Sequence, residues 1–386
     1  MKSFNPLSLV AFLLLALPIC GCGGSSAGGS NPGGTAATTV YVAGYEQGTT
    51  GSTTSFYWTV TPSSSEATAL AASSGMQNPS ASSIAVSGSD VYAAGIESGT
   101  NGVQEAVYWK NGTATALPPS SGTNSSSASA IAVADSDIYI SGTVTDSLSG
   151  SPGPLYWQNG TGMQLLLPSG ASSAQVWSIA VSDYDVYVAG SATKQISSFL
   201  SPGAFATYWV DGSPTAIPNP SGIGSTEALS IAFSNGNVYL AGVELDTRTQ
   251  KTVAVYWVNG TPHTLSSDYS NASANSIAVS TTYVSATNTY NTNTYVAGYT
   301  SDLSTGIQQA TYWLNDVATV LPADASHNSV ANGIAISGSD VYIVGQEWDS
   351  TKGHYVACLW KNGTAAVELS DGTADAQATS IAVASQ

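Results

Sequence analysis

Four short phrases recur in fixed order seven times between residue 39 and the last residue, and this confines the chain to a repeat architecture. One phrase, D-V-Y-V-A-G, closes on Gly44, Gly95, Gly142, Gly190, Gly242, Gly298 and Gly345. A second, A-V-Y-W-K-N-G, places Trp58, Trp109, Trp157, Trp209, Trp257, Trp313 and Trp360. The third is a short T-A-L segment and the fourth is S-I-A-V. Each landmark returns after about 50 residues, the period range of propellers and solenoids. Within a phrase the large apolar residues fall two apart, as in Ser83-Ile84-Ala85-Val86, which is strand alternation. Asn111-Gly112, Asn159-Gly160, Asp211-Gly212, Asn259-Gly260 and Asn362-Gly363 separate the tryptophan strand from T-A-L. Such pairs are the strongest short hairpin signal, because both turn residues need φ > 0. Several of them also scan as glycosylation sequons, but recurrence at one turn favours the structural reading.

Each unit therefore reads as a four-stranded meander: a (S-I-A-V), b (V-Y-V-A-G), c (Y-W) and d (T-A-L). A lone sheet of this kind cannot cover both of its faces, whereas seven stacked around an axis bury one another. The expected fold is all-β: a seven-bladed β-propeller of four-stranded antiparallel blades. Blade 1 takes strands b, c and d from residues 39–71 and strand a from residues 378–384, so the C-terminal strand closes the ring.

The N-terminal segment reads differently. Lys2 supplies a basic start, residues 7–17 are apolar, and Ile19-Cys20-Gly21-Cys22 follows. The apolar run is too short to span a bilayer and has the form of a secretory signal. The last four residues resemble the bacterial lipobox, which implies lipidation of Cys22 after cleavage of residues 1–21. An ordinary cleaved signal is the alternative. Residues 22–38 then form the lipidated cysteine and a Gly/Ser-rich tether with a root-mean-square span of roughly 20–25 Å, ahead of a propeller over 39–386. Cys358 would be left as the one cysteine of the mature repeat region, expected buried in a strand.

Composition excludes some partners. The formal net charge is −17, with only 7 basic residues, and loss of Lys2 makes it one unit more negative. A basic footprint for nucleic acid is absent, and so is a polybasic patch for an anionic membrane face. The expected membrane link is the N-terminal lipid, and the expected location is the bacterial cell envelope, extracytoplasmic. Charged residues are 8% of the chain, so hydroxyl and amide groups must carry solubility.

The period and the V-Y-V-A-G strand resemble kelch repeats, which end that strand in a glycine pair. Here there is one glycine, and Trp follows Tyr directly. The pairing of Y-W-x-N-G with S-I-A-V resembles short repeats of bacterial secreted and lipidated proteins of unassigned role. The resemblance covers nearly the whole chain after the leader. It implies a propeller and a location, and no chemistry.

Strand order sorts the loops. The a–b and c–d turns share one end of the blades and are short, except in blade 6, where residues 280–294 read as a projecting hairpin. The b–c and d–a connections share the other end, are longer and vary, and variable loops on a rigid scaffold commonly carry function. On this wide-loop face, acids recur after the strand-b glycine: Glu46, Glu97, Glu244 and Glu347 two residues on, Asp146, Asp246, Asp302 and Asp349 four residues on. Carboxylates so spaced are potential Ca²⁺ ligands, but Asp also satisfies turn backbone, and no metal or other cofactor is expected. The repeated Trp residues are expected to pack adjacent blades. Trp177, opening strand a of blade 4, is assigned to the core as well. Trp348 falls outside the repeat position.

Blade 7 gathers the titratable side chains with a spare aromatic: Asp324, His327, Glu347, Trp348, Asp349, Lys352 and His354. They form the candidate ligand-binding set, and the b–c loop over residues 191–207, with Phe199 and Leu200, is placed across the ring from it. The expected function is a non-catalytic binding scaffold for protein or glycan. The alternative is a carbohydrate-active enzyme using the blade 7 acids. A third possibility is an envelope scaffold docking through the blade 6 hairpin.

Overall fold

A computed structural model of the chain describes residues 38–385 apart from 49–50, 119–122, 147–149, 183, 195–202, 267–270 and 286. The leader, Cys22 and the tether lie outside these residues, as do Phe199 and Leu200. The strands form seven four-stranded antiparallel sheets. Blade 2 typifies them: strand a is Met76–Ser87, b Asp90–Gly99, c Gln104–Lys110 and d Thr113–Ala116. Blade 1 joins Thr38–Gln47, Thr53–Val60 and Ser65–Leu70 to an inner strand, Asp375–Ser385. That strand pairs in register Val40↔Val383 and Val42↔Ile381. It also touches strand a of blade 7 and strand a of blade 2, so the ring closes as the sequence predicts.

The core lies between blades. The seven repeated tryptophans are at most 2% exposed, and Trp109, Trp157, Trp209, Trp313 and Trp360 are tied to the preceding blade where the indole N–H finds a carbonyl. Trp109 Nε1 donates to Ala71 O at 2.8 Å, Trp209 to Leu166 O at 2.7 Å and Trp360 to Pro322 O at 3.0 Å, each in the connection from the preceding blade. Burying the ring and satisfying its one polar atom across a blade boundary explains why Trp, rather than another aromatic, recurs here.

The strand-b glycine has a different cause. Strand a carries a β-bulge opposite it, seen in blade 2 as a register shift between Ala81 and Ser83. The bulged backbone comes so close that a Cβ on any of the seven glycines would lie 1.8 to 2.2 Å from a strand-a carbonyl oxygen. Only glycine permits that approach. The serine that follows the bulge serves the next blade. Ser380 Oγ accepts from Ile84 N–H at 3.3 Å, and Ser83, Ser178 and Ser230 accept from Ile131, Ile231 and Ile277 at 3.2 Å. These bonds link blade 1 to 2, 2 to 3, 4 to 5 and 5 to 6; blades 3 and 7 carry Ala130 and Gly333 at this position, and Ser276 of blade 6 makes no such bond.

The bulge also overturns one expectation. Trp177 is not in the core: as the extra residue between Val176 and Ser178, it turns toward the axis and is 38% exposed. In blade 6, strands Ala272–Val284 and Thr289–Ser301 pair out to Val284↔Thr289, which is the projecting hairpin. Tyr283 and Tyr290 meet there at 5.2 Å and both are exposed.

Candidate functional site

In blade 7, strands b (Asp340–Asp349) and c (His354–Lys361) are joined by a four-residue turn at the wide-loop end. Asp349 organises that turn: its Oδ1 accepts the N–H groups of Thr351 at 2.7 Å and Lys352 at 3.2 Å. Gly353 supplies the left-handed residue, φ 74°, that returns the chain to strand c. Asp246 and Asp302 do the same in blades 5 and 6, each accepting two backbone N–H groups from its own loop. Among the described side chains, the acids four residues past the glycine are therefore turn anchors; the side chain of Asp146 lies outside that set.

Strand b runs on through Glu347 and Trp348, so these are strand rather than loop residues, and the alternation places them on opposite faces. This splits the predicted cluster in two. On one face, Trp348 stands beside its cross-strand partner Tyr355 at 5.2 Å, edge to face. His327 lies flat on the indole at 4.8 Å with 16° between the planes. Asp324 fixes that imidazole: its Oδ2 is 3.0 Å from His327 Nδ1, while its Oδ1 accepts from Ser326 N–H and Oγ–H. The Ser326 bonds, helped by His327, hold the Asp324 carboxyl below its ordinary range although burial opposes them.

On the other face are acids around one ammonium. Lys352 Nζ sits 3.5 Å from Asp349 Oδ2 and pairs with Glu368 in strand d. Glu347 lies beside them, half-buried. Burial, then Glu368 and Asp349, push its carboxyl up to about 7. Asp349 is held low by its two N–H bonds and Lys352, against the effect of burial. His354 belongs to neither half, its Nδ1 lying 3.4 Å from Asp375 of blade 1.

The structure thus brings Asp324, His327 and Trp348 into one contact set and Glu347, Asp349 and Lys352 into another. Sequence reading missed Tyr355, Glu368 and Asp375. Tyr355 was legible as the cross-strand neighbour of Trp348. Asp375 was legible as a repeat position, since Asn78, Asn271 and Asn328 likewise accept a strand-c N–H, from Thr53, Thr252 and Gln308. Glu368 had no such signal. The equivalent Glu97 is structural: it is 2% exposed and accepts Ser73 N–H at 2.9 Å. Among the described residues, no three His, Cys, Asp or Glu side chains are grouped to hold a metal ion.

No family model matches the chain, and no curated protein does. Among solved structures, the β-propeller domain of the Trilobed protease from Pyrococcus furiosus is similar, with 10% identity and a TM-score of 0.45, covering 89% of this chain and 95% of that one. An acylaminoacyl peptidase from Pyrococcus horikoshii is 12% identical with a TM-score of 0.40, covering 75% of this chain. This chain spans just under half, 46%, of that peptidase. A sucrose-6-phosphate hydrolase from Lactobacillus gasseri is 10% identical with a TM-score of 0.34, covering 77% of this chain and 76% of that one.

Proposed function

We propose that this propeller is a lipid-anchored, extracytoplasmic binding scaffold that engages a protein or glycan ligand at the wide-loop end of blade 7. The observation that carries this reading is the rigid set Asp324–His327–Trp348–Tyr355, in which each ring is fixed by a neighbour before any ligand arrives. Pre-organised aromatic and hydrogen-bonding groups lower the entropic cost of binding. Apart from Glu347, the acids named around this end are engaged with loop backbone, with Lys352 or with a histidine, which suits recognition better than turnover.

The test is a peptide and glycan array probed with the purified protein, followed by titration of the best binder. Trp348→Ala should weaken that binder by at least about tenfold while melting well above Trp109→Ala, which is expected to cost about 3–5 kcal/mol as a core truncation. A Trp348→Ala protein that melts like the core variant makes the residue packing and sinks the site. The anchor has its own test. Among the described residues no helix is long and apolar enough to cross a membrane, and Cys22→Ser should move the protein from the membrane to the soluble fraction. Retention of that variant on membranes in high salt contradicts the lipid anchor.

One observation favours the carbohydrate-active reading. Glu347, raised to about 7, and Asp349, held low, share a strand face, and divergent carboxyl environments are how acid and base roles are separated. Hydrolysis of nitrophenyl glycosides that disappears in Glu347→Gln would establish that reading in place of the scaffold.

A further inference from the structure

The bulge in strand a sends one residue per blade toward the axis: Thr379, Ser82, Ser129, Trp177, Leu229, Asn275 and Asn332 around the ring. Three of these cap the next blade. The Asn275 and Asn332 amides donate to Ala331 O and Ala378 O, and Thr379 Oγ donates to Ala81 O. Trp177 does something else. It is far larger than its six counterparts, is 38% exposed, and stands between two cavities that share it. One is the axial channel, about 100 Å³. The other is a cup of about 150 Å³ between blades 2, 3 and 4 at the wide-loop end. A cavity near 150 Å³ holds one six-membered ring.

The wall of the cup has one chemistry. In blade 3, strands a (Thr123–Ala134) and b (Asp137–Asp146) set Ser125 opposite Thr145 and Ser127 opposite Thr143. Cross-strand partners share a face, so four hydroxyls line up in two rows. Gln104 and Gln175 close the sides. Among the described residues, none lining the cup or the channel carries a formal charge. Hydroxyl and amide groups both donate and accept, and an indole face offers a flat apolar platform beside them.

We propose that Trp177 and this hydroxyl cup bind an uncharged sugar ring, the ring stacking on the indole and its hydroxyls bonding to Ser125, Ser127, Thr143, Thr145 and the two glutamines. The described lining offers no charge to compensate an anionic or cationic ligand, and a chain of net charge −17 disfavours anions at long range. A purely apolar ligand would strand the hydroxyls without partners. The site lies apart from blade 7 and does not rest on the function proposed there.

The experiment is isothermal titration of the purified protein with maltose, cellobiose and lactose, with glucuronate and glucosamine as charged controls. Intrinsic fluorescence follows the same titrations, because the seven repeat tryptophans are buried and Trp177 is the most exposed indole among the described residues. At least one neutral disaccharide should bind saturably and the charged sugars at least about tenfold more weakly. Trp177→Ala should weaken that disaccharide at least about tenfold with little change in melting, and Trp348→Ala should leave it unchanged. Thr145→Val, which keeps shape and removes one hydroxyl, should weaken it about three- to tenfold, and serves if Trp177→Ala fails to fold. Absence of binding to all three neutral disaccharides overturns the proposal. So does binding that survives both Trp177→Ala and Thr145→Val, and so does binding abolished by Trp348→Ala alone, which would move the ligand to blade 7.

Discussion

Glu347 shows how a repeat position becomes a charged liability. Two residues past the strand-b glycine, Glu97 is buried and bonded to a backbone N–H. Glu347 instead shares its strand face with Asp349 and lies near Glu368, and burial with those two carboxylates raises it from an ordinary 4.5 to about 7. Below the lower value the carboxyl is protonated in folded and unfolded chains alike and adds nothing to the pH dependence. Between the two values only the folded chain keeps the proton, and above the upper one the fold must hold a half-buried charge. Stability from this residue therefore falls as pH rises from 4.5 to about 7. Glu347→Gln should raise the melting temperature relative to the parent at about pH 8 and lose that advantage near pH 4.5. Paired melting curves across this window check it, and an offset that does not vary with pH contradicts the assignment.

At the scale of the strand, the turn asparagine does more than adopt φ > 0. Asn111 has φ 51°, its N–H donates to Val91 O, its Oδ1 accepts Val91 N–H at 2.8 Å, and its Nδ2 donates to Asp90 Oδ1 at 2.8 Å. One side chain thus fastens the c–d turn to the start of strand b. Asn159, Asn259 and Asn362 repeat the arrangement, and Asn315 does so in blade 6 ahead of Asp316 rather than glycine. Asn111→Gly keeps the turn and loses the side-chain bonds, an expected cost of about 1–2 kcal/mol. Asn111→Ala adds left-handed strain and should cost about 1 kcal/mol more. Equal melting of the two variants would mean that backbone conformation carries no part of the effect.

The same scale explains what the sequence could and could not disclose. Alternation and the Asn-Gly turns exposed every strand b and c, because nothing interrupts the period there. Strand a was legible only on one side of its bulge. Counting back by twos from Ile179 puts Trp177 on the buried face, and the extra residue reverses that. In blade 7 the error ran the other way: treating residues 347–349 as loop hid the alternation that separates Trp348 from its neighbouring acids. Long-range partners such as Glu368 for Lys352 depend on how a turn folds over strand d, and no local pattern encodes that.

For the whole molecule, closure is the property on which the rest depends. Blades pack through Trp residues, five of whose indoles bond to the preceding blade, and through serine links, of which Ser380–Ile84 ties the C-terminal strand to blade 2. An open ring would expose the facing sides of blades 7 and 1, where Val42, Val344, Leu359 and Ile381 now share one core. The wide-loop sites would then lose their fixed spacing. The direct measurement is the thermal melt, by near-ultraviolet circular dichroism, of a chain lacking residues 375–386, with and without a synthetic peptide of that sequence. Without the peptide the truncated chain should show no cooperative melt, or one lowered by at least about 10 °C. With the peptide in excess the transition should be restored in proportion to peptide concentration. A truncated chain that melts cooperatively within a few degrees of the intact protein, indifferent to the peptide, would contradict the closed seven-bladed ring.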